Sequence, residues 1–350
     1  MLKASYSKYW LSFKQPSGTS RGILTQKETF FIRIWDTADP ACFGLGECAL
    51  FRGLSREDLP GYEQKLGEVC RGIAELDPED LRSWSSLTFG IETALADLKQ
   101  GGKRIIFPSA FTAGKTGIPI NGLIWMGDRQ VMEQRIREKL ESGFHCIKIK
   151  IGAIDFEAEL ALLKFIRQRF GRQEIELRVD ANGAFAPREA LRRLEALAAY
   201  DLHSIEQPIR AGQWKEMARL CALTPVPIAL DEELIGIDTP EQKQELLELV
   251  RPQYIVLKPA LTGGFGGASE WIRAAQQKHI GWWITSALES DIGLNALAQW
   301  TATWDNPMPQ GLGTGQLYTN NFVSPLRLCG EKLFYEPGNN WELSILKDWK

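Results

Sequence analysis

Five short runs rich in β-branched residues end in side chains that can hold a cation or move a proton. HCIKIKIG carries Lys148 and Lys150, IELRVDAN carries Asp180, HSIEQP carries Glu206, PIALDEE carries Asp231 and YIVLKP carries Lys258. Taken singly, each carboxylate has an ordinary structural explanation as a helix cap or half of an ion pair. Three of them ending successive runs are harder to explain that way, because like charges gathered within a few ångströms repel unless a cation sits among them. An all-oxygen set suits a hard ion, and three carboxylates leave positions for water and substrate. That is the habit of Mg²⁺, with Mn²⁺ as its substitute. The lysines complement the trio. Lys148 and Lys150, two apart on a strand, share one face. Beside a cation and partly desolvated, a lysine's pKa falls, so that a neutral amine base becomes available at about neutral pH. Lysine, metal, lysine is an arrangement for removing a proton next to a carboxylate.

The elements that would position these groups follow from the interval between them. PINGL, ending at Asn121, precedes the five runs, and WWITSA (Ser286) and QGLGTG (Gly313) follow them, so that successive run ends lie 25 to 32 residues apart. Most runs are followed by a helical pattern. After Lys150 the positions Phe156, Leu160, Leu163, Arg167 and Phe170 trace a 3.6-residue stripe that Gly171 ends. Eight strand-helix units predict an α/β fold of the (β/α)8 barrel type. A doubly wound sheet would carry a Gly-rich loop after its first strand, and PINGLIWMGD is not one. Barrel active sites lie at the C-terminal strand ends, where strands two and six face each other, so Lys258 would stand across the pocket from Lys148 and Lys150.

Before the barrel, the strand-like runs LSFKQ and ETFFIRIWD give way to a helical stretch from Leu66 to Gln100, closed by Gly101-Gly102. Strands followed by helices without alternation predict a separate α+β capping domain over residues 1–115. The barrel then occupies 116–320, and 321–350 returns to the capping domain.

Composition bounds the partners. With 44% hydrophobic and 24% charged residues, and a formal net charge of -3, the chain is globular and lacks the basic footprint of a nucleic-acid binder. No apolar run approaches the roughly 20 residues of a membrane helix, and MLKASYSKYWLSF lacks a signal peptide's apolar core. The expectation is a cytoplasmic enzyme acting on a small carboxylate, with no nucleic-acid or membrane partner. Cys42, Cys48, Cys70, Cys146, Cys221 and Cys329 include no CxxC pair and read as reduced. His145, His203 and His279 fall at no strand end, which argues against zinc.

The series KIK, DAN, IEQP, DE and LKP, together with FGIETALADL and GECALFRGLS before the barrel, resembles the enolase superfamily in its muconate-lactonising-enzyme-like subgroup. The resemblance covers nearly the whole chain. It implies that Asp180, Glu206 and Asp231 bind Mg²⁺, that Lys150 is the base, that Lys148 tunes it and holds the substrate carboxylate, and that Lys258 stabilises the intermediate. Arg178 would help to order the site. Within the subgroup, RVDANGAF, SALES and GLGTG resemble members that dehydrate 2-succinyl-6-hydroxy-2,4-cyclohexadiene-1-carboxylate to 2-succinylbenzoate in menaquinone biosynthesis. Substrate contacts implied on this basis are Arg178, Asn182, Ser286, Gly311, Gly313 and Thr314, with glycine N–H groups suited to an anionic succinyl tail. The capping-domain loops Gln15–Gly22 and Leu50–Ser55 are the specificity candidates, Arg21 among them.

The near rivals are N-succinylamino acid racemases and dipeptide epimerases, which use lysines on the same two strands. Dipeptide epimerases carry an acidic Asp-x-Asp on strand eight, where this chain has Gly311-Leu312-Gly313-Thr314-Gly315. Thr285-Ser286 at the end of strand seven, in place of histidine, disfavours mandelate-racemase-like chemistry. A decayed, non-catalytic barrel would lose a ligand or a lysine first, and all six are present. GLGTG read as a phosphate cup leaves the carboxylate trio unexplained. Which of Glu232 and Glu233 reaches the site is left open by the sequence.

Overall fold

Alternation in ETFFIRIWD sends Phe30, Ile32 and Ile34 to one face of a three-stranded antiparallel sheet in the order β1 (Leu2–Thr19), β2 (Gly22–Asp36), β3 (Asp39–Cys48). There they pack against Tyr62 and Leu66 of α1 (Tyr62–Arg71) and Leu87 and Ile91 of α2 (Ser85–Lys99). The helical stretch expected from Leu66 to Gln100 is broken between the two helices. Pro78, with no N–H to continue a helix, opens a short 3-10 turn that Asp77 caps. Gly101 and Gly102 follow α2 with φ of 79° and 65°, a left-handed exit that glycine adopts without strain. The computed structural model describes residues 1–19 and 22–350.

The second body begins at β4 (Ile118–Pro119) and holds seven parallel strands, each beside its successor: β5 (Gly122–Ile124), β6 (Cys146–Lys150), β7 (Glu176–Asp180), β8 (Ser204–Glu206), β9 (Ile228–Leu230), β10 (Tyr254–Leu257) and β11 (Gly281–Ile284). Each is followed by a helix: α3 (Arg129–Glu141), α4 (Phe156–Arg167), α5 (Pro187–Leu197), α6 (Trp214–Leu223), α7 (Pro240–Val250), α8 (Gly264–Gln277) and α9 (Asp291–Thr301). The eighth run is a bridge and not a strand. Gln310 and Gly311 pair in parallel with Ile120 on one side and Thr285 on the other. The Gly311 N–H donates to Ile284 O at 2.8 Å and the Asn121 N–H to Gln310 O at 3.0 Å. A segment of alternating glycines after Pro309 has few side chains to pack and one N–H fewer to pair. The result is a curled parallel sheet closed at this seam, consistent with an α/β barrel.

Alternation places Ile147, Ile149, Leu177, Val179 and Ile205 against the helices, in one core with Leu162, Leu163, Ile166 and Leu194. The intervening residues face the interior. At its foot Ala229, Val256 and Trp283 form a small apolar plug with Tyr254 and Met308. In register, Lys150, Asp180 and Glu206 are neighbours in one row, with Lys148, Arg178 and Ser204 in the row beneath.

Beyond Asn320 the chain first serves the foot of this body. The hairpin of β12 (Leu326–Cys329) and β13 (Lys332–Tyr335) pairs antiparallel with β4. Only afterwards does it reach the edge of the N-terminal sheet, where Tyr6 and Lys350 exchange backbone hydrogen bonds of 3.0 and 2.8 Å. Phe13 and Tyr318 bridge the same edge of β1. All six cysteines are free. Among the described residues no helix is long and apolar enough to cross a membrane.

Candidate active site

The row of strand ends brings the expected charges together. Lys150 Nζ donates to Asp180 Oδ2 at 2.6 Å and to Asn182 Oδ1 at 2.8 Å. Lys148 Nζ pairs with Glu206 Oε2 and lies 3.1 Å from Asp180 Oδ2, while Lys258 Nζ pairs with Asp231 Oδ2. All three carboxylates are at most 2% exposed. Three strands separate β6 from β10 in the curled sheet, so Lys150 and Lys258 enter from opposite sides.

Burial opposes ionisation of Asp180, but the ammonium groups of Lys148 and Lys150 outweigh it and hold the carboxyl well below the usual range. Asp231 is lowered in the same way, burial being overcome by Lys258. Glu206 goes the other way. Burial, followed by repulsion from Asp180 and Asp231, pushes its carboxyl well above normal despite Lys148. The lowered lysine pKa expected from the sequence is for Lys148 and Lys150 beside a bound cation. With carboxylates alone around them, Lys148 and Lys258 are raised, burial being outweighed by those carboxylates.

Two observations test whether the trio suits a metal ion. As the side chains stand, no three His, Cys, Asp or Glu groups among the described residues are placed to hold one, because the lysine ammonium groups lie between the carboxylates. The donor set itself fits a hard cation. Three oxygen donors lie on consecutive strands, and Glu206 Oε1 is buried with no hydrogen-bond partner, an acceptor lacking the positive group that its burial calls for.

A cavity of about 270 Å³ opens over the row. Lys148, Lys150, Lys258, Ser286, Gly311, Gly313 and Thr314 line it, as does Asn121, which precedes β5. Thr314 Oγ1 and Asn121 Oδ1 are buried there without partners. Asn121 was not selected from the sequence, where it ends the run PINGL; in the structure it lies before β5 and its N–H pairs with Gln310 O. Phe51, Leu54, Trp125 and Leu288 add an apolar side, of which only the first two lie in the expected Leu50–Ser55 segment.

Other expectations need correction. Arg178 does not reach the cavity: its guanidinium donates to Glu176 at 2.7 Å and to Pro309 O at 2.9 Å, and lies 4.3 Å from the Trp283 ring, one row below the site. Asn182 is not a lining residue either. It holds Lys150, and its amide donates to Glu232 Oε1 at 2.9 Å, so Glu232 is the acidic neighbour that joins the site. Glu233 instead accepts from Gly212 and Gln207. The Ser286 hydroxyl donates to Glu289 Oε2 at 2.5 Å, so it has no hydrogen left for a substrate. In the segment Gln15–Gly22 the described residues, Gln15 to Thr19 and Gly22, are strand and not loop. β1 and β2 pair as far as Thr19 and Gly22, and Gly18 bridges Met126 beside the cavity. Arg21 lies outside the described residues.

Residues 131–333 match the family described as enolase C-terminal domain-like. The chain is 47% identical to the o-succinylbenzoate synthase of Desulfotalea psychrophila, over 94% of this chain and 98% of that protein. It is 32% identical to the N-succinylamino acid racemase of Thermus thermophilus, over 79% and 75% respectively. The crystal structure of MenC from Desulfotalea psychrophila superposes with a TM-score of 0.84 at 44% identity, covering 95% of this chain and 99% of that one.

Proposed function

The chain belongs to the enolase C-terminal domain-like family, as a lyase of the o-succinylbenzoate synthase group, and on that premise we propose that it dehydrates 2-succinyl-6-hydroxy-2,4-cyclohexadiene-1-carboxylate to 2-succinylbenzoate in menaquinone biosynthesis. The reading extends to a (β/α)8 barrel under an α+β cap and to a cytoplasmic location. Its main support is the pocket itself, in which three lysines meet a glycine-rich eighth run that carries no carboxylate.

The proton alpha to a carboxylate is weakly acidic because its removal adds charge to an existing anion. Asp180, Glu206 and Asp231 would hold Mg²⁺, which when bound supplies a Lewis acid for the substrate carboxylate. Lys150 takes the alpha proton, and the C–H electron pair moves into an enediolate. The Lys258 ammonium stabilises that charge from the opposite face, and Lys148 holds the carboxylate. Lys150 then returns its proton to the departing hydroxyl on the same face, water leaves as the C–O bond breaks, and the ring becomes aromatic. Asn182 fixes Lys150 throughout, and Glu232 fixes Asn182.

Racemisation of N-succinylamino acids is the second reading, favoured by the Thermus thermophilus relative and by lysines on both faces. Assay of the purified protein with the cyclohexadiene beside a panel of N-succinylamino acids tests the choice. Dehydration is expected to be the faster activity, and racemisation far exceeding it would reverse the assignment.

A further inference from the structure

Past the eighth run, the segment from Tyr318 to Asn321 joins the capping sheet to two walls of the cavity. On one side it is built onto the edge of β1. The Thr319 N–H donates to Ser12 O at 2.9 Å. The Asn320 side chain continues that ladder, accepting from the Ser12 N–H and donating to Trp10 O, both at 2.8 Å. On the other side the segment reaches the pocket. The Tyr318 hydroxyl donates at 2.7 Å to Leu288 O, on the wall that follows β11. Asn321 serves the wall that follows the eighth run. Its Nδ2 donates to Gly315 O at 2.7 Å and to Asp291 Oδ1 at 2.9 Å. Its Oδ1 accepts from the N–H groups of Asp291 and Phe322, both at 2.9 Å. Both amide hydrogens and both lone pairs are thus used inside the protein, as in a tie and not in a substrate contact.

Asp291, the first residue of α9, is the fixed end of this tie. It is buried, and its Oδ2 accepts from the Ser324 hydroxyl at 2.5 Å. Gly315, the tied residue, opens the 3-10 turn Gly315–Leu317 directly after Gly313 and Thr314, which line the cavity. Only glycine fits so close to α9, since a Cβ at 315 would stand 2.6 Å from Asp291 Oδ1 and 3.0 Å from Leu294 Cδ2. Thr314 Oγ1 is buried without a protein partner, so what it meets in the cavity depends on where the turn is held. We propose that Asn321 is a positioning residue: by pinning Gly315 to the start of α9 it sets the eighth-run wall, so that Gly313 and Thr314 are presented to the succinyl end of the substrate. The identity of that substrate rests on the dehydration reading, and the tie itself does not.

The test compares the parent with Asn321→Asp, Asn321→Ala and Asp291→Asn in Mg²⁺ buffer. Three quantities are read: amide hydrogen exchange at Leu317, whose N–H donates to Thr314 O within the turn at 3.1 Å, calorimetric binding of 2-succinylbenzoate, and steady-state kinetics. Asn321→Asp keeps the size and the acceptor but deletes the donor to Gly315 and turns an oxygen toward Asp291. Both Asn321 variants should exchange about tenfold or more faster at Leu317. They should bind 2-succinylbenzoate about fivefold more weakly and raise KM by a similar factor, with kcat within about twofold, because the wall is displaced and the reacting groups are not. Asp291→Asn, which keeps an acceptor for Asn321 Nδ2, should stay within about twofold of the parent throughout. If it is as impaired as Asn321→Ala, the effect belongs to charge and the proposal falls. A role in packing alone predicts parent-like exchange and binding for Asn321→Asp, with at most a lower melting temperature, and that result would also overturn it. A parent that neither binds 2-succinylbenzoate nor dehydrates the cyclohexadiene would overturn the dehydration reading instead and leave exchange at Leu317 to decide on the tie. If the Asn321 variants do not fold, Gly315→Ala decides, because its Cβ forces the turn away from Asp291. The same rise in exchange and KM then supports the proposal, and parent-like values overturn it.

Discussion

Lys150 Nζ and Asp180 Oδ2 stand 2.6 Å apart, on residues that are register partners in adjacent strands. The proposed base and the proposed metal ligand are thus fixed by one ladder, and neither can move without the other. Lys150→Ala should lower kcat by about a thousandfold or more, since general-base contributions reach that size. It should also abolish exchange of the substrate's alpha proton with deuterated solvent. Exchange at the parent rate would refute the base assignment.

Glu206 supplies the second test. Its buried Oε1 has no protein partner, and its carboxyl is raised by burial and by its acidic neighbours. Treatment with a chelator should abolish activity, with Mg²⁺ or Mn²⁺ restoring it. Glu206→Gln should weaken Mg²⁺ binding by about tenfold or more in calorimetry. Full turnover in chelator-treated, metal-free protein would exclude the metal.

Lys258→Arg separates the two candidate reactions. Arginine keeps the charge paired with Asp231 but cannot release a proton at accessible pH. Dehydration, which needs proton transfer on one face, should remain measurable, whereas racemisation of N-succinylamino acids should vanish. A common fall by the same factor would favour the racemase.

Arg178→Met should act on stability and not on substrate affinity. Removing a buried guanidinium that serves Glu176, Pro309 and Trp283 should cost about 2–3 kcal/mol in denaturant unfolding, discounted because Glu176 is partly exposed. KM should stay within about twofold. A large rise in KM at unchanged stability would return Arg178 to the substrate site.

Glu92 gives stability a pH dependence. It accepts from the amides of Phe265 and Gly266, yet burial raises its carboxyl to about 7. A folded pKa above the unfolded one contributes stability that is present at low pH and lost as pH rises through about 7. From about pH 5 to about pH 8 the parent should lose on the order of 1–3 kcal/mol more than Glu92→Gln. Parallel melting curves for the two proteins would contradict this.

What the sequence made legible follows from geometry that is local or periodic. Lys150, Asp180 and Glu206 can be read because strands at a constant interval reach the same height in the curled sheet. Arg178 was misread because alternation gives the face of a strand and not the depth. Two residues below Asp180 is roughly 7 Å lower, in the row of Lys148 and Ser204, where the guanidinium meets Glu176 and Trp283. The Gln15–Gly22 segment has a loop's composition, but Ser17, Gly18, Thr19 and Gly22 are held by cross-strand pairing between β1 and β2, which composition does not record. Asn321 looks like any asparagine of a turn. Its tie runs to Asp291, 30 residues earlier at the start of α9, which only the folded chain brings to it.

The edge of β1 also has a history during synthesis. Apart from the Gly18–Met126 bridge, its outer side is met by Tyr318, Thr319, Asn320 and Lys350, all made after the whole parallel sheet. At about 5–20 residues per second, a nascent three-stranded cap would carry a bare hydrogen-bonding edge for tens of seconds. On the ribosome the cap must therefore either stay unfolded or be shielded by a chaperone until the barrel behind it is complete.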